Sequence, residues 1–110
     1  MRYQQRDVVE VNFLFPDGST KPHMAILVSN NQLQEDEDFF YLVMISSKNY
    51  NPQYTYVLDN EMLSFALSKK SFVVCQLLSG YTERDVVRKL GQIKNSFFQE
   101  IVEKIKQSIF

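Results

Sequence analysis

Short apolar runs separated by polar punctuation fill most of the chain, and the period changes near its end. Val8 to Phe15 alternates loosely and reads as a strand, while Met24 to Val28 is the short continuous apolar run of a buried one. Between them Pro16-Asp17-Gly18 presets a turn. Gln32 to Asp38 is polar and acidic and reads as a connection. Phe39 to Ile45, aromatic and β-branched, predicts a third strand. A turn at Tyr50-Asn51-Pro52 leads to a fourth over Tyr54–Leu58, and Ser71–Leu78 predicts a fifth. Asn60 to Leu67 fits a short helical turn opening on an asparagine cap.

Beyond these strands, Thr82 is placed to cap a short helix through Leu90, with Gly91 where such a helix would stop. Ser96-Phe97-Phe98-Gln99 has the spacing of a capping box. After it Phe97, Ile101, Ile105 and Ile109 recur every four residues, with charged residues between them. This is an amphipathic helix whose apolar stripe needs a sheet or a partner to cover it. Strands first and helix last imply an α+β, mainly β, fold around a small, strongly bent sheet. With no repeat and no boundary, residues 1–110 read as one domain.

Composition narrows the function classes. At 110 residues the chain can bury a core without disulfides or metal. Its 12 basic and 13 acidic residues leave a net charge of −1, which argues mildly against strong non-specific binding to nucleic acid. A basic stripe would have to be assembled by folding, from Arg6, Lys21, Lys48, Lys69, Lys70, Arg84 and Arg88. The single cysteine, Cys75, sits in an apolar run and reads as an inert core thiol, which fits a reducing cytoplasm. No secretory or membrane-spanning segment is apparent, so no membrane association is expected. The acidic run Glu35–Asp38 reads as a solvated loop, and no metal or other cofactor is expected.

The stretch Asp7-Val8-Val9-Glu10-Val11-Asn12-Phe13, with its loop and Lys21-Pro22-His23-Met24-Ala25-Ile26-Leu27-Val28-Ser29-Asn30, resembles the opening of the MazF/PemK family of bacterial ribonuclease toxins. There a GDVV-x-V-D/N-F strand leads through a polar, Gly-rich loop into K-x-R-P-A-L-V-x-S-N. The likeness continues in order. Val43-Met44-Ile45-Ser46-Ser47 is similar to V-x-P-I-T-S, and Ser71-Phe72-Val73-Val74-Cys75-Gln76-Leu77-Leu78 to S-V-V-L-C/A-D/E-Q-I. Val87–Ile93 resembles the R-x-G-x-L link before the final helix. The resemblance implies an SH3-like small β-barrel with a C-terminal amphipathic helix, usually a homodimer. It further implies metal-free cleavage of single-stranded RNA, held in check by a cognate antitoxin peptide.

Carried over residue by residue, the pattern departs where chemistry matters. The arginine of R-P-A falls on His23 and its proline on Met24; the threonine of I-T-S falls on Ser46; the arginine of Q-I-R-T falls on Ser79. Both arginines are absent and one hydroxyl survives. Cleavage by a 2′-hydroxyl needs a base, an acid for the leaving oxygen and cations for the phosphorane. His23, the only histidine, is the candidate base or acid, with Ser46 as its catalytic companion. Lys21, Ser19, Ser47 and Ser79 are the candidate RNA- or phosphate-binding residues. The alternative is a catalytically inactive barrel that binds RNA or an antitoxin peptide. A CcdB-like gyrase poison, suggested by the Ser108-Ile109-Phe110 ending, fits less well because the chain has no tryptophan.

Overall fold

A computed structural model describes residues 2–14 and 16–110, arranged as six strands and two α-helices. The strands are β1 (Asp7–Leu14), β2 (Thr20–Leu27), β3 (Phe40–Ser46), β4 (Thr55–Leu58), β5 (Ser71–Tyr81) and β6 (Val86–Gln92). The helices are α1 (Asn31–Glu37) and α2 (Asn95–Ile109). The strands form one antiparallel sheet in the order β4-β5-β3-β2-β1-β6. The first expected strand ended at Phe15, which lies outside the described residues.

Both faces of the sheet bury apolar side chains. On one face Val8, Ile26, Val43, Ile45, Val73 and Cys75 meet Phe98, Ile101 and Ile105 of α2. On the other Val9, Val11, Ala25, Leu27, Leu42 and Met44 close around Tyr3 and Phe40. Alternate residues of each strand serve opposite faces, so Val8 and Val9 belong to different cores. The curl stops short of a closed barrel: β4 and β6 remain edges. They are drawn together by an isolated bridge between Leu63 and Ile93 and by the Ser64 N–H donating to the Gln92 carbonyl at 3.0 Å. No helix among the described residues is long and apolar enough to cross a membrane.

Five local expectations change, the first at Asn60, which caps nothing: it is the first residue of a 3-10 turn, and its Oδ1 accepts from the Leu67 N–H at 2.7 Å. Residues 31–37 are helical, although they carry no apolar period. Asn30 caps this turn by accepting from the Leu33 N–H at 2.9 Å, and Asp38 ends it in the left-handed region at φ 56°. The segment after Thr82 is a 3-10 turn, Glu83–Asp85, followed by a strand rather than a helix to Leu90. Thr82 and Asp85 form the capping box of that turn, and β6 then pairs with β1. Gly91 stops no helix. A Cβ there would overlap Ser64 Oγ and lie 2.5 Å from Phe65 Cδ1, so glycine permits the close approach of β6 to that segment. At α2 the first helical residue is Asn95, whose amide oxygen accepts from Gln99 at 3.2 Å in place of the expected box around Ser96.

Asp7 anchors the start of β1. Its side chain is fully buried, with Oδ2 accepting from the Gln4 N–H at 2.8 Å. Oδ1 accepts from Gln92 Nε2 at 2.9 Å and lies 3.2 Å from Lys89 Nζ. Arg6 just before it sits at φ 80°, a conformation that favours glycine, pinned by backbone bonds to Leu27 and Ile93.

Candidate functional site

The site arises where two neighbouring strands part. β2 and β3 pair only over Ala25–Leu27 and Leu42–Met44, with Ala25 opposite Met44 as the last pair. Continued two residues further, that register sets His23 opposite Ser46. Before Ala25, β2 holds on to β1 alone, with His23 opposite Val11 and Pro22 opposite Asn12. Beyond Met44, β3 holds on to β5. Pro22 has no N–H to offer either neighbour, which suits a position where the ladder ends.

A cavity of about 370 Å³ opens in this gap, lined by Phe13, His23, Met44, Ser46, Tyr50, Val74, Gln76 and Leu77. One wall is a bulge of β5. Val43 pairs with Leu78 but Ile45 with Val73, so extra residues of β5, Gln76 and Leu77 among them, are accommodated opposite Met44. The surroundings are mostly apolar and aromatic. Tyr50 and Leu77 are exposed on its rim, and the Phe13 ring lies 6.2 Å from the imidazole, tilted by 53°. His23 Nδ1 is 3.3 Å from the Met24 carbonyl, so the ring is held along one side. Ser46 is buried, and its Oγ accepts from the Lys48 N–H at 3.0 Å, leaving the hydroxyl hydrogen to donate.

The remaining expected residues distribute unevenly. His23 also borders an adjoining cavity of about 250 Å³, together with Glu10, Pro22, Ser47, Ser68, Lys69 and Ser71. Ser47 is therefore next to the His23–Ser46 cavity, not inside it. Lys21 lies two residues before His23, opposite Phe13 in the β1–β2 ladder. Ser19 belongs to the turn, where the Asp17 carboxylate accepts from its N–H at 2.9 Å and its Oγ–H at 2.6 Å. Those two bonds hold the Asp17 carboxyl below its ordinary range. Ser79 pairs with Leu42, four residues along β3 from Ser46, about 13 Å away at ordinary strand rise. It lines neither cavity.

Gln76 was not among the candidates. Its Oε1 is buried without a hydrogen-bond partner, and it stands in the wall beside His23 and Ser46. A polar residue inside the run Val73-Val74-Cys75-Gln76-Leu77-Leu78 was the available signal. Cys75, one residue before it, faces the opposite core, and burial pushes its thiol up to about 11.

The family of PemK-like, MazF-like toxins of type II toxin–antitoxin systems has a model that matches residues 4–109. The chain belongs to this family. A search of the curated proteins returns no match. Among solved structures it is similar to an endoribonuclease in complex with its cognate antitoxin from a mycobacterial species, with a TM-score of 0.78 at 11% identity over 96% of this chain and 93% of that one. MazE–MazF from Deinococcus radiodurans gives 0.77 at 12% identity, covering 97% and 95%. The Mycobacterium tuberculosis toxin MazF-mt6 gives 0.74 at 14% identity, covering 94% and 95%. At these identities the likeness is one of fold, and the MazF-like architecture is the one described above.

Proposed function

We propose that this MazF/PemK-family chain cleaves single-stranded RNA without a metal, in the cavity between the parted ends of β2 and β3. The observation that carries the reading is the convergence of His23 and Ser46 on one cavity. His23 occupies the family's arginine position and Ser46 its threonine position.

The imidazole takes the proton of the 2′-hydroxyl, the 2′-oxygen attacks phosphorus, and the bond to the 5′-oxygen breaks. A proton returned to that oxygen completes the step, leaving a cyclic phosphate and a free 5′-hydroxyl. The Ser46 hydroxyl donates to a non-bridging phosphate oxygen, where negative charge builds up. Phe13 and Tyr50 offer ring faces to the flanking bases. Lys21, at the start of β2, supplies a point charge to the strand's phosphates.

No arginine lines the cavity. That observation favours the second reading, a module that binds RNA or an antitoxin peptide without turnover. Single-turnover cleavage of a long unstructured RNA, with chelator present, separates the two. Under the first reading the wild-type chain cleaves and His23→Ala is slower by about a hundredfold or more. Undiminished cleavage by His23→Ala would move the active site elsewhere. Absent cleavage with retained RNA binding would establish the module.

The same reading includes an antitoxin, as the mycobacterial and Deinococcus complexes have, and cytoplasmic action. Co-expression with a small acidic protein encoded next to this chain should relieve growth inhibition. It also includes a homodimer. Phe98, Ile101 and Ile105 are already covered within the chain, so α2 does not leave its whole stripe bare. The surface left for a second copy is Tyr41, Leu78, Ile109 and Phe110, all exposed, around a shallow depression that Val102 helps to line. Light scattering should return about twice the 13.0 kDa of one chain.

A further inference from the structure

The end of β3 divides two cavities. Ser46 lines the larger, and the next residue, Ser47, lines the adjoining one of about 250 Å³; His23 borders both. Extended backbone sends consecutive side chains to opposite sides, so this strand end is a ridge with His23 beside it. We infer that a single strand of RNA crosses the ridge, with the scissile phosphate at His23 and Ser46 and the next phosphate held in the Ser47 cavity by Lys69. The inference rests on the reading of the His23–Ser46 cavity as the cleavage site and adds the path of the strand away from it.

Lys69 is placed by its neighbours. Ser46 pairs with Phe72 of β5, and that register continued by one residue sets Ser71 opposite Ser47, about 5 Å away. Ser71 is only 3% exposed, and its Oγ–H donates to the Lys69 carbonyl at 3.1 Å. A buried hydroxyl thus ties the lysine's backbone to the cavity wall. The Lys69 ammonium is in no ion pair among the described residues, whereas Glu10, the one acid lining the cavity, has its carboxylate 3.5 Å from Arg88 Nε. One positive charge is therefore left uncompensated in the cavity, with the Ser47 and Ser68 hydroxyls as further donors. That set matches the single negative charge and the acceptor oxygens of a phosphodiester.

The succession of cavities selects a polymer over a small anion. A third, about 380 Å³, shares Leu67, Ser68 and Lys69 with the second and adds Lys70, setting two lysines against the single acid Asp59. A free phosphate fills one such cavity. Only a chain whose charges repeat along its length meets His23, Lys69 and Lys70 together. The His23–Ser46 cavity offers the Phe13 and Tyr50 rings to a base, but no phenylalanine or tyrosine lines the second or the third. Those two therefore hold backbone, and their contribution is independent of sequence.

The test measures binding of a short random-sequence 2′-O-methyl RNA, uncleavable because its attacking hydroxyl is blocked, over a range of salt concentrations. Lys69→Gln should weaken binding about threefold or more and lower the slope of log Kd against log salt by about 0.7, the share of one single-strand phosphate contact. Lys69→Arg should restore both. Arg84→Gln, which removes the same charge at the far end of β3, should change neither. Cleavage is read separately, on unmodified RNA. If the wild-type chain cleaves but Lys69→Gln binds with unchanged affinity and slope, the path is overturned and the cleavage site stands. If the chain does not cleave and Lys69 still carries the contact, the path stands and the cleavage reading falls. Equal losses in Arg84→Gln and Lys69→Gln would show diffuse attraction and overturn the inference. So would a wild-type chain that binds no RNA, or one whose Lys69 serves poly-L-glutamate instead, which would assign the surface to an acidic protein.

Discussion

Replacing Asp7 by alanine should be among the most destabilising single changes available outside the apolar cores. The carboxylate has no exposure and satisfies three groups from two parts of the chain: the Gln4 N–H before β1, and the Gln92 amide and Lys89 ammonium on β6. Each hydrogen bond to a charged acceptor contributes about 1.5–3 kcal/mol. The ion pair adds at most about 1 kcal/mol, because the Lys89 side chain is 44% exposed and water screens it. Relief of the carboxylate's own desolvation offsets part of this, so Asp7→Ala should cost about 3–5 kcal/mol. For a domain of this size that corresponds to a fall in Tm of roughly 10–25 °C. Lys89→Met should cost only about 1 kcal/mol, since both hydrogen bonds survive. Urea unfolding followed by far-ultraviolet circular dichroism reads both, with the midpoint shifting at constant slope. Two results would refute the reasoning: an Asp7→Ala loss below about 1 kcal/mol, or a Lys89→Met loss equal to it, which would put the energy in the ion pair.

Gly91→Ala should destabilise by about 1–3 kcal/mol, because its Cβ would displace Ser64, whose Oγ accepts from the Gln92 N–H at 2.8 Å; an unchanged urea midpoint would count against that contact. At Arg6, φ 80° reverses the usual order of substitution, so Arg6→Gly should be more stable than Arg6→Ala by about 1 kcal/mol. A glycine variant less stable than the alanine one would show that the conformation carries no strain. Alkaline pH should also weaken the fold. Burial raises the Cys75 thiol from 9.0 to about 11, and burial together with the bond to Glu100 raises the Tyr56 phenol from 10.0 to about 12. The unfolded chain therefore releases these protons first, and stability present below pH 9 is lost as the pH rises through about 11 to 12. Tyr56→Phe should flatten the upper part of that decline, and native Cys75 should react with thiol reagents only as fast as the chain opens.

The strands over β1, β3, β4 and β5, the later half of β2 and the helix α2 were legible in the sequence, because each has an apolar run or period that specifies its own conformation. The family was legible as well, since its motifs lie in contiguous strands. Other features depend on distant partners. Val86–Gln92 looks like part of a helix until β1 supplies the edge it pairs with. Asn31–Glu37 has no apolar period, and its short helix is held by a cap on one side and a left-handed residue on the other. Gly91 is required by Ser64 and Phe65, some 26 residues earlier in the chain. His23 and Ser46 could each be picked out from the motif. Their common cavity could not, because it depends on where the β2–β3 ladder stops and on how far β5 bulges. The unpartnered amides of Gln76 and Gln34 are likewise a product of packing. Local propensity and period are written in neighbouring residues. Register, bulges and unmet hydrogen bonds are decided only when strands far apart in sequence meet.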